Sequence, residues 1–320
     1  MRPAFRLTPA SRPNTFILGA PKCGTSALFH WLTEHPQVFG CNPKEPRFFC
    51  RSSLQSSRVK TVEAYEHLFR HAGESAVVME GTTYYMLDET ALPKILAYAP
   101  SARFIALLRN PVEMAVSWHG ECVRSSFETL LFEDAWRAVE ERREGHSIPL
   151  GCPDPILLDY PRICSIGAQL QRVLQQVPKR QLHVAFLDDF EREPRAAWRD
   201  LLTFLDLPDD GRRSFPRINE GYLPRRPTIY RLIDGKLPRI RRRLRIRHPT
   251  GMATKLARFL GGISPRAVLS PDVQEDMRKW FADDIALVGE LTGRDLRSWL
   301  LPVQGECPSL SQSNSCADEP

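Results

Sequence analysis

A glycine-bounded loop near the N-terminus constrains the fold more than any other part of the sequence. The segment GAPKCGTS begins at Gly19, directly after the short apolar run 15–18, and the helical pattern over 25–35 follows it. A strand, a tight loop and a helix in this order let backbone N–H groups and the helix N-terminus face an anion. The spacing predicts a phosphate-binding loop, and the alternative is a glycine turn that binds nothing.

Apolar runs alternate with helical patterns over most of the chain. The runs are 15–18, 76–79, 103–108 and 182–187, and helical patterns cover 25–35, 61–70, 90–99, 111–124, 132–144, 162–177, 190–205 and 271–291. Strands alternating with helices predict a parallel sheet covered on both faces, with the ligand beyond the carboxyl ends of the strands. The expected fold is a single α/β domain of the P-loop type.

The ends of the chain and one basic stretch differ from this pattern. We expect an N-terminal extension over 1–13, one domain over 14–302 and a disordered polar tail over 303–320. Residues 225–247 hold ten Arg or Lys and one acid. This basic region, about 215–250, is interpreted either as a cofactor- or substrate-binding loop or as a solvated basic helix.

Composition bears on location and partners. The net charge of +6 favours anionic partners without choosing among them. We find neither an apolar stretch of about 18 residues nor a signal peptide, so we expect a cytoplasmic protein without a transmembrane anchor. None of the eight cysteines forms a C-x-x-C pair, and we expect free thiols. Cys152 and Cys164 are a candidate disulfide only in an exported chain.

The position of the lysine in the loop separates this chain from the nucleotide hydrolases. Their loop places a lysine directly after the second glycine, where Thr25 stands here. Lys22 lies three residues earlier, inside the loop. A lysine there is expected near the 5′-phosphate of a shorter nucleotide, where it would stabilise charge on a leaving phosphate oxygen. A P-loop kinase is therefore the less favoured enzyme class.

Two further segments hold candidate ligands. Arg109 ends the third apolar run, and Ser117 lies two turns into the helix that Pro111 begins, so the two side chains are candidates to clamp a second phosphate. The alternative is an arginine at a sheet edge and a solvent-facing serine. In KEPRFF, Glu45 lies between two cations and precedes paired phenylalanines. Its distance along the chain allows it to reach the same cleft, and the alternative is a surface turn.

In this order the three segments resemble the sulfotransferases that use 3′-phosphoadenosine 5′-phosphosulfate (PAPS), above all the heparan-sulfate type and its stand-alone bacterial relatives. GAPKCGTSAL resembles the 5′-phosphosulfate loop, LLRNPVEMAVSWH the 3′-phosphate motif, and KEPRFF the acidic element with the catalytic carboxylate. The resemblance implies that Glu45 is the base and that Lys22 is catalytic. It implies nucleotide binding by Lys22, Cys23, Gly24, Thr25, Ser26, Arg109 and Ser117.

Weaker matches extend the predicted site. EGTTYY, from Glu80 to Tyr85, resembles the end of a substrate-cleft strand, so Glu80, Tyr84 and Lys44 are predicted to contact substrate. YLPRR resembles a basic loop that closes over the cofactor, which adds Arg225 and Arg226. Some relatives have a lysine at the position of Gly81 and a second catalytic histidine, for which His119 is the candidate here.

The sequence therefore predicts transfer of a sulfuryl group from PAPS to an acceptor hydroxyl, on a carbohydrate or a hydroxylated small molecule. This chemistry resembles phosphoryl transfer but needs no metal ion, and no carboxylate pair for magnesium is visible. The alternatives are a kinase-like transferase and a non-enzymatic protein that binds anions or nucleic acid through the basic stretch. Nucleic acid is not an expected partner, because the basic stretch lacks interleaved aromatic residues. The acceptor and the oligomeric state are left open.

Overall fold

Five parallel strands form one sheet in the computed structural model, which describes residues 12–55, 59–218, 223–224, 263–264 and 269–301. The strands are β1 (Thr15–Gly19), β2 (Val38–Gly40), β3 (Val77–Gly81), β4 (Arg103–Leu108) and β5 (Leu182–Phe186), in the order β2-β3-β1-β4-β5. Every residue of β1 and β3 is buried. Because successive side chains point to opposite faces, such burial requires that both faces be covered. This is the predicted P-loop-type architecture.

Helices fill the connections between the strands. They are α1 (Thr25–Thr33), α2 (Val62–Glu66), α3 (Ala91–Tyr98), α4 (Pro111–Ser125), α5 (Phe132–Arg137), α6 (Val139–Arg143), α7 (Tyr160–Cys164), α8 (Ile166–Gln176), α9 (Leu187–Arg192), α10 (Pro194–Phe204) and α11 (Pro271–Thr292). Short 3₁₀ turns occupy His67–Phe69, Pro155–Leu158, Lys179–Gln181 and Arg297–Leu300. Among the described residues, no helix combines the length and the apolar character needed to span a bilayer.

The structure divides three of the predicted helices. The pattern 132–144 breaks at Ala138, 162–177 breaks at Ser165, and 190–205 breaks at Glu193. Glu193 precedes Pro194, and a residue before proline is disfavoured in the helical conformation. The edge strand β2 was not predicted, whereas β4 has the predicted bounds.

The strand order places three loops side by side at the carboxyl edge of the sheet. β1 lies at the centre, with Ile17 beside Gly81 of β3 and Gly19 beside Ala106 of β4. The glycine-bounded loop after β1 is therefore flanked by the segments that follow β3 and β4. This edge is the usual ligand position in parallel sheets.

Several predicted features lie outside the described residues. These are the extension up to residue 11, most of the basic stretch, and the tail over 303–320. A separate two-stranded antiparallel pair, β6 (Leu223–Pro224) and β7 (Ile263–Ser264), borders the basic stretch, and the backbone of β6 lies beside α4. Cys152 and Cys164 both carry free thiols.

Candidate active site

Two glycines set the shape of the loop after β1. Gly19 has a φ of 144°, and a Cβ atom there would lie 2.7 Å from the carbonyl oxygen of Thr83. Gly24 has a φ of 88°, and a Cβ atom added there would lie 2.9 Å from a methyl group of Leu187. Both conformations are rare for residues with side chains. The loop therefore packs against the segments after β3 and β5 with no room for side chains at either glycine.

The N-terminus of α1 opens onto this loop. Gly24 is the N-cap and has no side chain to accept from the N–H groups of the first turn. Those groups and the helix dipole are therefore oriented to bind an anion. Ser26 is half-buried at the first turn, and Thr25 is buried.

Cys23 lies in the loop but is a packing residue. Its thiol is buried and donates to the carbonyl of Pro21, and burial raises its pKa to about 12. The thiol therefore stays protonated and apart from any ligand. The contribution of Cys23 to anion binding is limited to its backbone.

Lys22 reaches α4. Its Nζ lies 3.0 Å from Oε2 of Glu121, which also accepts from Arg124. Burial opposes ionisation of Glu121, but the charges of Lys22 and Arg124 outweigh it and lower the pKa of this carboxyl. The lysine of the loop is thus paired with a carboxylate.

Arg109, directly after β4, is paired in the same way. Its Nε donates to Oε2 of Glu113 at 3.0 Å, and its Nη1 donates to the carbonyl of Lys22 at 3.4 Å. Glu113, Ser117 and Glu121 are spaced by four residues, which puts them on one face of α4. Ser117 therefore lies between the carboxylates that hold the two cations of the site.

An open cavity of about 210 Å³ adjoins Arg109. Its lining comes from the end of β4, the first turn of α4 and helix α9, namely Arg109, Glu113, Leu187, Asp188, Glu191 and Arg192. The described residues contain no group of three or more His, Cys, Asp and Glu side chains arranged to hold a metal ion.

Glu45 lies on a strained loop above the end of β3. Its φ is 60°, and its N–H donates to the carbonyl of Gly81 at 3.1 Å. Its carboxylate contacts Lys44 at 3.1 Å, Arg47 at 3.4 Å and the hydroxyl of Thr83 at 3.4 Å. The side chain is 24% exposed, so part of the carboxylate is open to a ligand.

Tyr84 connects this loop to α4. The guanidinium of Arg47 lies 4.4 Å from the centre of its ring, and the ring packs edge-on against Trp118 of α4. Burial raises the pKa of Tyr84, and the charges of Arg47, Glu45 and Glu121 act on it as well. Tyr84 is therefore close both to the candidate base and to the carboxylate that pairs with the loop lysine.

Glu80 does not line the surface of the cleft. It is 0% exposed and accepts from the hydroxyls of Thr82 at 2.6 Å, Tyr85 at 2.9 Å and Tyr65 at 3.1 Å. Burial raises its pKa to about 7, although these hydroxyl donors act in the opposite direction. Because its carboxylate is enclosed beneath the loop of Glu45, the predicted direct contact with substrate does not fit its position.

His119 lies apart from the cluster. It follows Ser117 by two residues, which turns it to nearly the opposite face of α4. It is buried against Phe132, its Nε2 lies 3.0 Å from the carbonyl oxygen of Leu130, and burial lowers its pKa. The structure therefore places this predicted second acid–base group in the core.

The structure brings together Lys22, Arg109 and Ser117 on one side, and Lys44, Glu45 and Tyr84 at the end of β3. Arg225 and Arg226 lie outside the described residues. Sequence reasoning missed the carboxylate partners Glu113 and Glu121, although their four-residue spacing around Ser117 was a usable signal.

Comparison with known proteins shows the family of the chain. Residues 12–215 match the family model described as the sulfotransferase domain. The chain is 25% identical over 241 residues to a bifunctional heparan sulfate N-deacetylase/N-sulfotransferase 1 of Caenorhabditis briggsae, covering 73% of this chain and 27% of that protein. It is 30% identical over 141 residues to the heparan sulfate glucosamine 3-O-sulfotransferase 3A1 of Mus musculus, covering 40% of this chain and 34% of that protein.

A solved structure is similar over nearly its full length. The sulfotransferase from Alicyclobacillus acidocaldarius superposes with a TM-score of 0.65 at 25% identity, covering 90% of this chain and 99% of that chain. By contrast, the chain spans only about a quarter to a third of the length of the two heparan sulfate enzymes.

Proposed function

The chain belongs to the sulfotransferase domain family, and we propose that it transfers the sulfuryl group of PAPS to a hydroxyl group of an acceptor. The observation that carries this proposal is the position of Lys22 within the loop after β1, with its carbonyl bound to Arg109. A lysine there suits a nucleotide that carries one 5′-phosphate group rather than a triphosphate. Arg109 supplies a second cation for a further phosphate.

The nucleotide would be held by groups from three loops. The N–H groups at the start of α1, with Thr25 and Ser26, bind the 5′-phosphosulfate. Arg109 and Ser117 bind the 3′-phosphate, which distinguishes PAPS from ATP. By their resemblance to the basic loop of the family, Arg225 and Arg226 are further candidates to bind the nucleotide.

In the reaction, an acceptor oxygen attacks the sulfur atom while the bond from sulfur to the 5′-phosphate oxygen breaks. Glu45 takes the proton of the acceptor hydroxyl, and the ammonium group of Lys22 stabilises the charge on the departing phosphate oxygen. The products are a sulfate ester and adenosine 3′,5′-bisphosphate (PAP). Catalysis of this kind depends on positioning and charge stabilisation, as in phosphoryl transfer.

Binding of the nucleotide requires the two cations of the site to change partners. Lys22 lies 3.0 Å from Glu121, and Arg109 is paired with Glu113. Phosphate oxygens therefore compete with carboxylates for the same donors. The phosphosulfate and the 3′-phosphate each carry more than one negative charge, whereas each carboxylate carries one and is more than a third exposed, so we expect the nucleotide to displace the carboxylates.

For the acceptor we propose a carbohydrate or a hydroxylated small molecule. Lys44 lies beside Glu45 and would border the acceptor, whereas Tyr84, which is 4% exposed, would support Arg47 next to the acceptor. We further propose that the catalytic domain extends over 14–302. A cytoplasmic location is consistent with the free thiols of Cys152 and Cys164.

The first experiment is calorimetry with PAP, AMP and ATP. We expect PAP to bind at least about 10-fold more tightly than AMP, because a bidentate, charge-assisted phosphate contact contributes roughly 1.5–3 kcal/mol. Equal affinities for PAP and AMP would remove the assignment of Arg109 and Ser117 to a 3′-phosphate. Incubation with labelled PAPS and a panel of acceptors, followed by mass spectrometry, identifies the product.

The second experiment replaces Glu45 by Gln, which keeps the shape of the side chain but cannot accept the proton. Turnover at saturating acceptor should fall by roughly 10²- to 10⁴-fold, while the affinity for PAP changes little. Glu275→Gln, an exposed member of an ion pair on α11, is the matched control. A Glu45→Gln variant with near-normal saturated turnover would exclude Glu45 as the base.

A further inference from the structure

The loop that carries Glu45 has a backbone conformation that needs support from its surroundings. Glu45 and Arg47 both have a positive φ, 60° and 55°. Residues with a Cβ atom rarely adopt this conformation, and it persists where neighbouring groups determine it. The N–H of Glu45 is bound by the carbonyl of Gly81, the last residue of β3. Because β3 ends at Gly81, the strand provides no carbonyl groups for the rest of the loop.

Hydroxyl groups continue the support after the strand ends. The N–H of Arg47 donates to Oγ1 of Thr82 at 3.2 Å, and the N–H of Phe49 donates to the phenolic oxygen of Tyr85 at 3.5 Å. Each hydroxyl has one proton to donate and lone pairs to accept with. Each hydroxyl oxygen can accept the N–H of the loop only while its own proton is donated to another group.

The hydroxyl protons of Thr82 and Tyr85 both point to Glu80. Thr82 donates to its Oε1 at 2.6 Å, and Tyr85 donates to its Oε2 at 2.9 Å. An ionised carboxylate is an acceptor only, so it fixes the direction of both hydroxyls. Tyr65 donates to the same Oε2 at 3.1 Å, but in the described part of the chain its hydroxyl accepts no N–H of this loop.

We propose that Glu80 is a positioning residue for the loop of Glu45, acting through the hydroxyl groups of Thr82 and Tyr85. By accepting both protons, it presents the lone pairs of these hydroxyls to the N–H groups of Arg47 and Phe49. The link from this anchoring to turnover rests on the proposed role of Glu45 as the base. The anchoring itself does not depend on that role.

Protonation of Glu80 would disturb this arrangement. A neutral carboxyl must donate its own proton, and the acceptors within reach are the hydroxyl oxygens of Thr82, Tyr85 and Tyr65, of which the first two hold the loop. The ionisable groups around Glu80 are Glu45 on the loop, Cys41 and Cys50 at its two ends, Tyr85, and Tyr65 on α2. Burial raises the pKa of both thiols and both phenols, so these four groups stay neutral.

The consequence is a loss of turnover as the pH falls. Burial raises the pKa of Glu80 to about 7, so the wild-type protein should lose turnover as the pH falls through that value. In Glu80→Gln the amide NH2 group is a hydrogen-bond donor at every pH. Its turnover should be low throughout, with the acid limb near pH 7 absent.

The test compares matched hydroxyl variants in the full chain. Thr82→Val keeps the shape of Thr82 but removes the acceptor for Arg47, whereas Thr82→Ser keeps the hydroxyl. Tyr85→Phe removes the acceptor for Phe49, whereas Tyr65→Phe removes a donor to the same carboxylate. The readouts are amide hydrogen exchange over 41–51, kcat and KM with PAPS as donor, and the pH profile of kcat.

We expect Thr82→Val to accelerate exchange at Arg47 by about 10-fold or more. Glu80→Gln should accelerate exchange at Arg47 or at Phe49, depending on which hydroxyl faces its amide NH2 group. Both variants should lower kcat by roughly 10- to 100-fold, because a small misplacement of a catalytic group has effects of this size. Affinity for PAP should not change. Thr82→Ser should restore the exchange rate at Arg47 and kcat. Tyr85→Phe should accelerate exchange at Phe49 more than Tyr65→Phe does.

A purely structural role predicts a different pattern. Glu128→Gln is the control, since Glu128 is also fully buried and accepts from Arg142 and Tyr160, neither of which lies in 41–51. It should lower the melting temperature without changing exchange over 41–51 or the pH profile. If Thr82→Val exchanges like the wild type and keeps its kcat and pH profile, the proposal is overturned.

The outcomes also separate this proposal from the proposed function. A wild-type protein that transfers no sulfuryl group to any acceptor contradicts the function. The exchange measurements still decide whether Glu80 anchors the loop. If Glu80→Gln does not fold, the Thr82→Val and Thr82→Ser pair decides the question.

Discussion

Replacing Glu80 by Gln should change how the stability of the protein depends on pH. Burial raises the pKa of Glu80 from the ordinary value of 4.5 to about 7 in the folded protein. Between these values the folded state holds a proton that the unfolded state has released. The contribution of Glu80 to stability is therefore greatest below about pH 4.5, and it is lost as the pH rises to about 7.

The size of this effect follows from the two pKa values. Each pKa unit corresponds to about 1.4 kcal/mol, so the full difference amounts to about 3 kcal/mol between acid and weakly alkaline solution. Glutamine has no proton to release and lacks this dependence. From pH 5 to pH 8, the free energy of unfolding of Glu80→Gln should increase relative to that of the wild type by up to about 3 kcal/mol.

Urea denaturation of both proteins at several pH values between 5 and 8 measures the difference in their free energies of unfolding. The contributions of all other titrating groups are common to both proteins and cancel in this difference. Glu128→Gln is the control, since hydrogen bonds and the charge of Arg142 outweigh burial and lower the pKa of Glu128. Its effect on stability should be constant over this range. A constant difference between Glu80→Gln and the wild type would refute the argument that burial disfavours the charge on Glu80.

The remaining predictions concern the two cations of the nucleotide site. Glu121→Gln and Glu113→Gln should each tighten PAP binding by up to about 5-fold in calorimetry, because partly exposed ion pairs contribute roughly 0.2–1 kcal/mol that the nucleotide must displace; weaker binding would show that the carboxylates do not compete with phosphate. Lys22→Ala should lower kcat by at least about 10²-fold with little change in melting temperature, whereas Lys279→Ala, an exposed lysine on α11, should change neither. Unchanged kcat together with a lower melting temperature in Lys22→Ala would contradict the catalytic role.

Burial on both faces explains why some strands were predictable. β4 has the predicted bounds because five of its six residues, 104–108, form one continuous apolar run, as expected for a strand inside a parallel sheet. β2 has only three residues, Val38–Gly40, two of which are half-buried. Its formation depends on pairing with β3, and a single short segment does not contain that information.

The strand, loop and helix over 15–33 were predictable from the sequence, but the network under Glu45 was not. Glycines, a lysine and two hydroxyls at fixed intervals are typical of a loop whose backbone can bind an anion, so the candidate residues of this loop follow from the sequence alone. The enclosure of Glu80 depends instead on tertiary structure, since one of its hydroxyl partners, Tyr65, lies fifteen positions away along the chain. A carboxylate in a segment that resembles a substrate cleft gives no sign that it is enclosed.

The surroundings of the two neighbouring carboxylates decide which of them can serve as the base. Glu80 is fully enclosed, and both its oxygens accept hydroxyl protons, so neither is available to an acceptor molecule. Glu45 contacts Lys44 and Arg47 yet remains 24% exposed. Pairs of acids in different environments commonly divide their roles in this way. The exposed carboxylate can meet the acceptor hydroxyl, while the buried one directs the hydroxyls that hold its loop.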